Sequence, residues 1–169
     1  MRYFSGFSLR GEDELFREIL IDSDYTIAGF SYGAILAFEE AIKSQKRVDR
    51  LILISPAFFQ NKDKKFKKLQ LMAWKRDKSK YLKNFLNSCV YPSDLDLKDY
   101  LSEGGEKELE FLLNYEWSRE NLLKLKSKGV VIEVFLGQKD KIIDSKEAKK
   151  FFEEIGVVYL FKEAGHILR

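Results

Sequence analysis

The stretch Tyr25-Thr26-Ile27-Ala28-Gly29-Phe30-Ser31-Tyr32-Gly33-Ala34-Ile35-Leu36 decides how this chain is read. Tyr25–Ala28 reads as a strand that runs directly into Gly29. Ala34–Lys43 reads as a helix, with Ile35, Leu36, Phe38 and Ile42 on a broad apolar face. Between them lies the run G-x-S-x-G at 29–33, which places the Ser31 hydroxyl on a sharp strand-to-helix turn, a nucleophile elbow. Such a turn holds its serine in a strained backbone conformation and crowds the residues two positions away. Glycines at 29 and 33 remove the side chains that would clash there, and Gly33 lets the helix approach the sheet. The competing reading is an ordinary strand–helix turn with a buried serine.

Outward from this turn the same alternation continues. Met1–Ser5 is a short aromatic strand ending at Gly6, and Glu12–Leu20 carries Leu15, Phe16, Ile19 and Leu20 at helical spacing. Leu51–Ile54 and Val130–Leu136 are continuous aliphatic runs, as expected of strands buried on both faces of a parallel sheet. Ser145–Ile155 reads as a helix with Ser145 as its N-cap and Gly156 closing it. Val157–Phe161 is the last strand. The alternation predicts an α/β fold, a mostly parallel sheet of about five strands flanked by helices.

Residues 57–128 break the rhythm, because they are helical in pattern and contain no convincing strand. Phe66, Leu69, Met72 and Ala73 make one helical face; Leu82, Phe85, Leu86 and Cys89 a second; Leu109, Leu112, Leu113 and Trp117 a third. The expectation is a single domain with core 1–56 and 129–169 and a helical lid insertion at 57–128. Phe58, Phe66, Trp74, Phe111 and Trp117 read as lid core rather than ligand wall. Lys62–Lys83 holds ten basic residues against Asp63 and Asp77, whereas Ser93–Glu120 holds three basic and nine acidic ones.

With 169 residues, 45% of them apolar and 34% charged, the composition is that of an ordinary globular domain. A net charge of +3 is too mild to argue for a nucleic-acid partner. One cysteine cannot form an internal disulfide, so a reducing compartment is the default. The short apolar stretch after Met1-Arg2 is broken by Ser5, Ser8 and Arg10, unlike a secretory signal, and no apolar run is long enough to span a membrane. A cytoplasmic location without membrane attachment is expected.

Serine is a weak nucleophile until a base takes its proton. His166 is the only imidazole in the chain, in a Gly165-His166 loop after the last strand. A surface histidine near a frayed terminus is the bland alternative; the elbow makes His166 the candidate base. Asp140, four residues beyond the penultimate strand, is the candidate that orients it and stabilises the imidazolium. Asp144 competes, but reads more simply as a charge at the start of the next helix. Acyl chemistry also needs two donors for a developing oxyanion. The N–H of Tyr32, next after the serine, is one. The N–H of Phe7, in the loop after the first strand, is the other.

Gly29-Phe30-Ser31-Tyr32-Gly33, Leu53-Ile54-Ser55-Pro56, Gly137-Gln138-Lys139-Asp140 and Gly165-His166 resemble the α/β-hydrolase pattern over nearly the whole chain, with nucleophile, acid and histidine in that family's order. More narrowly, Arg2-Tyr3-Phe4-Ser5-Gly6-Phe7, Lys67-Lys68-Leu69-Gln70-Leu71 and Glu108-Leu109-Glu110-Phe111-Leu112-Leu113 resemble the small BioV-type pimeloyl-[acyl-carrier protein] methyl ester esterases. That resemblance implies a reduced α/β-hydrolase core, no cofactor or metal, and hydrolysis of the ω-methyl ester of pimeloyl-acyl carrier protein in biotin synthesis. Two departures stand out: Ser5-Gly6 replaces the usual His-Gly, and the chain begins where the family's third strand would be. An acidic carrier protein suits the basic run, with Lys65, Lys68, Lys75 and Arg76 as candidate contacts; a solvated helix face is the alternative. A thioesterase, a general short-chain carboxylesterase and an inactive hydrolase-fold binding protein remain as competing functions.

Overall fold

In the computed structural model, which describes residues 1–169, five parallel strands form one sheet whose spatial order is the chain order. They are β1 (Arg2–Phe4), β2 (Thr26–Phe30), β3 (Arg50–Ile54), β4 (Val131–Gly137) and β5 (Val157–Phe161). The register sets Gly29 beside Leu53, Leu53 beside Val134, and Phe135 beside Tyr159. Strand β2 runs through Phe30, two residues further than expected, and the helix α1 (Tyr32–Lys43) starts at once. Ser31 alone therefore makes the turn.

The aliphatic strands bury both faces, as their sequences require. Ile27, Leu51, Leu53 and Val134 face one side, where α1, α5 (Arg119–Ser127) and α6 (Ser145–Phe152) cover them with Phe38, Leu122 and Phe152. Ala28, Phe30, Ile52, Ile54 and Phe135 face the other, against Leu9, Phe16, Cys89 and Ile167. Each fully buried aliphatic side chain contributes about 1.5–3 kcal/mol.

Two expected elements differ. The segment Glu12–Leu20 is not an α-helix; it forms a 3-10 turn over Glu12–Phe16, entered through Gly11 in the left-handed conformation (φ 74°). The buried Glu12 and Phe16 hold it inward, so tertiary contacts override the helical spacing. At α6 the N-cap is Asp144 rather than Ser145: the Asp144 carboxylate accepts from Lys146 N and Glu147 N at 3.1 and 3.2 Å. Ser145 is freed to donate its hydroxyl to the carbonyl of Gly137 at 2.5 Å.

Between β3 and β4 the chain forms α2 (Lys64–Arg76), α3 (Lys78–Val90), α4 (Glu106–Asn114) and then α5. Asp63, Asp77 and Ser118 cap α2, α3 and α5 through their side-chain oxygens. Within the expected insertion 57–128, α5 packs beside α1 on the sheet, and its Leu122 and Leu125 join the main core. The helices that stand over the carboxyl end of β2 are α2, α3 and α4. The buried face of α2 differs in part from the one expected: Phe66 packs on the core and Trp74 is buried, as expected of both, but Leu69 and Met72 are 52% and 54% exposed and Leu71 packs inward instead. Phe111, expected in the core, is exposed. No helix is long and apolar enough to cross a membrane.

Candidate active site

Ser31 sits at φ 53°, ψ −112°, outside the regions open to ordinary residues. Neighbouring backbone holds it there. Its N–H donates to Ile54 O at 2.8 Å, and its carbonyl accepts from Ala34 N and Ala57 N, both at 3.1 Å. The two glycines are needed for close approach: a Cβ at Gly29 would overlap the carbonyl of Gly33, and one at Gly33 would overlap the carbonyl of Phe4. The loop after β1 is thereby laid directly on the elbow.

From Ser31 a hydrogen-bonded relay runs inward. His166 Nε2 lies 2.9 Å from Ser31 Oγ, and His166 Nδ1 lies 2.6 Å from Asp140 Oδ2. The other carboxylate oxygen of Asp140 accepts from Ile142 N at 2.7 Å and Ile143 N at 3.0 Å. With Asp140 held as an acceptor, Nδ1 carries the proton and Nε2 is left to accept from the serine hydroxyl. The side chains of His166 and Asp140 are wholly buried, and the Phe30 ring packs 5.1 Å from the imidazole. Asp144, the competing acid, is occupied in capping α6.

The site holds groups that sequence reasoning missed. Ser55 donates its hydroxyl to the carbonyl of His166 at 2.6 Å, and Ile167 N donates to Cys89 O, so both sides of the histidine are tied down. Leu53-Ile54-Ser55-Pro56 contained the signal, a small polar residue ending an otherwise apolar strand. Cys89 lies close enough to Asp140 to feel its charge; burial first, and that carboxylate second, push its thiol pKa well up. Burial also raises the Tyr32 phenol, with Glu108 adding to it.

Ser31 opens into a cavity of about 350 Å³ beneath α2, α3 and α4. Phe7, Phe66, Leu109 and Leu113 give it apolar walls, while Gln70, Asn84 and Ser88 add polar groups. The Phe7 ring, wedged between Trp74 and Phe85, lines the same space. Tyr32 is the first residue of α1, so its N–H has no intrahelical acceptor. The Phe7 N–H makes no hydrogen bond to the backbone. Lys65, Lys68, Lys75 and Arg76 are exposed on α2, with Lys75 paired to Glu106 at 2.9 Å. No group of three or more His, Cys, Asp or Glu side chains is arranged to hold a metal ion.

No protein-family model matches the sequence, and no curated protein matches it. Solved structures do match the fold. An esterase from Exiguobacterium antarcticum superposes with a TM-score of 0.68 at 23% identity, covering 83% of this chain and 59% of that one. MenH from S. aureus gives a TM-score of 0.64 at 15% identity, over 97% of this chain and 85% of that one. MGS-M2, an α/β hydrolase from a Medee basin deep-sea metagenome library, gives 0.68 at 13% identity, over 97% and 81%. The chain thus has a reduced α/β-hydrolase fold and spans 59% of the length of the Exiguobacterium esterase.

Proposed function

We propose that the protein is a serine hydrolase of carboxylic esters, and that its substrate is the methyl ester of pimeloyl-[acyl-carrier protein]. The observation that carries the ester-hydrolase reading is the relay Ser31–His166–Asp140, buried at its base and open to a cavity at the serine. His166 takes the Ser31 proton as Oγ attacks the ester carbonyl. The N–H groups of Tyr32 and Phe7 receive the oxyanion, each worth roughly 3 kcal/mol in the transition state. The adduct collapses, the bond to the methoxy oxygen breaks, and His166 returns its proton so that methanol leaves. Water then attacks the acyl-Ser31 ester with His166 again as base, releasing the carboxylic acid and restoring the serine.

Three features support the finer reading. The sequence strings that resemble the BioV-type esterases fall on β1 with the loop after it, on α2 and on α4, and include Phe7, Gln70, Leu109, Leu112 and Leu113, all of which line the cavity. Tyr81, Asn84 and Ser88 follow one face of α3, whose C-terminal end lies beside Asp140, so a polar stripe runs away from the triad for about 10 Å. That stripe suits a medium-length acyl chain with an amide or thioester at its far end. The basic outer face of α2, with Lys65, Lys68 and Arg76, suits an acidic carrier, raising its encounter rate in a salt-dependent way.

Incubation with pimeloyl-carrier-protein methyl ester, read by mass, tests the proposal: the product is expected to be lighter by about 14 mass units, one CH₂. Loss of the whole acyl arm would identify a thioesterase. Turnover of small esters alone would leave a general carboxylesterase, the coarser form of this reading.

A further inference from the structure

Glu12 is the one acidic side chain that is fully buried outside the relay, at 0% exposure. Its Oε1 accepts from the N–H of Gly6 at 2.7 Å and from the Tyr3 hydroxyl at 3.1 Å. Its Oε2 is buried with no partner. A carboxylate shut away from water with no cation beside it is costly, and a two-point grip on backbone and phenol is what it receives in return. The residue it grips belongs to the loop laid over the elbow.

The peptide that follows Gly6 is fixed from its other side. The Gly6 carbonyl accepts from Leu9 N at 3.1 Å. The only cis peptide in the chain is Tyr91-Pro92, so the Gly6-Phe7 peptide is trans and its N–H points opposite to its carbonyl. Turning Gly6 would therefore turn the Phe7 N–H. Glycine has the torsional freedom to do so, and a side chain at position 6 is excluded, since a Cβ there would press on the Phe30 ring. What fixes Gly6 on its N-terminal side is Glu12.

We infer that Glu12 is a positioning residue, its carboxylate holding the Ser5-Gly6-Phe7 loop so that the Phe7 N–H stays aimed at the oxyanion. The inference rests on the serine-hydrolase reading above. It accounts for an acid being buried beside this loop: the loop is set by a side chain reaching in from the 3-10 turn. Reach, rather than charge, is what the position requires.

Three variants assayed on a reactive small ester test this. Glu12→Gln keeps an oxygen at the same reach, and its kcat is expected within about threefold of the parent. Glu12→Asp keeps the charge but shortens the arm by one methylene, and Glu12→Leu removes the acceptor; both are expected to lower kcat, the latter about 100-fold, with KM within about twofold. If Glu12→Leu does not fold, the contrast between Asp and Gln decides. Parental kcat in the Asp variant, or equal losses in Asp and Gln, would overturn the inference. A parent enzyme with no esterase activity would overturn the hydrolase reading and this inference with it, whereas an active parent with indifferent Glu12 variants would overturn this inference alone.

Discussion

Ser31 is the single residue between the end of β2 at Phe30 and the start of α1 at Tyr32, and its positive φ is the local cost of placing a hydroxyl between them. In the proposed mechanism Ser31, His166 and Asp140 act as nucleophile, base and acid, and substitutions should separate these roles. Ser31→Ala and His166→Ala are each expected to lower kcat by several orders of magnitude. Asp140→Asn should lower it by about 10⁴-fold while the fold survives, because the histidine would take the wrong tautomer. Steady-state rates together with circular dichroism check this; an Asp140→Asn enzyme at near-parental rate would remove the acid from the relay. That these three side chains would meet was legible in the sequence, because a single histidine and a single elbow leave few combinations. Ser55 and Glu12 were not, because their work is done on backbone atoms: Ser55 on the carbonyl of His166, Glu12 on the N–H of Gly6. An acid after Gly11 looks like any solvated turn until the chain folds it inward.

Among the elements, strands were read more truly than helix faces. A run such as Leu51–Ile54 can be buried only one way, on both sides. In α2 the lysines at 64, 65, 67 and 68 leave apolar residues at so many of the remaining positions that the phase of the buried stripe is ambiguous. The expected face contained Leu69 and Met72, but the structure leaves both exposed; Trp74, expected in the lid core, is buried with its ring 5.5 Å from Phe7. Trp74→Ala should therefore destabilise the protein by about 3–5 kcal/mol. Leu69→Lys should change stability by no more than about 0.5 kcal/mol. Urea denaturation of the two variants separates these outcomes, and the reverse order would make Leu69 rather than Trp74 the buried anchor of α2. The N-cap of α6 moved by one residue for a similar reason: Asp144 and Ser145 are both good caps, and only the folded chain shows that the Ser145 hydroxyl is drawn to Gly137.

At the scale of the whole molecule, the order of the five strands is the order of the sequence, so the alternation of runs was enough to lay out the sheet. Its core encloses several weak acids. Burial holds the Cys89 thiol above its ordinary value of 9.0, and burial raises the phenols of Tyr3, helped by Glu12, and of Tyr81, the latter pushed up to about 12. Between the unfolded and folded values the native state keeps protons that the unfolded chain has lost. The stabilisation is complete below about pH 9 and is lost as pH rises through the folded values. Urea midpoints should accordingly fall between about pH 9 and pH 11; a flat profile would mean these groups are more open to water than the fold implies. The proposed chemistry depends on Ser31 being an activated nucleophile, which labelling with a fluorophosphonate probe followed by peptide mass mapping reads out. A single adduct is expected on Ser31 in the native protein and none in the His166→Ala variant; an unlabelled Ser31 in folded native protein would rule out an activated serine.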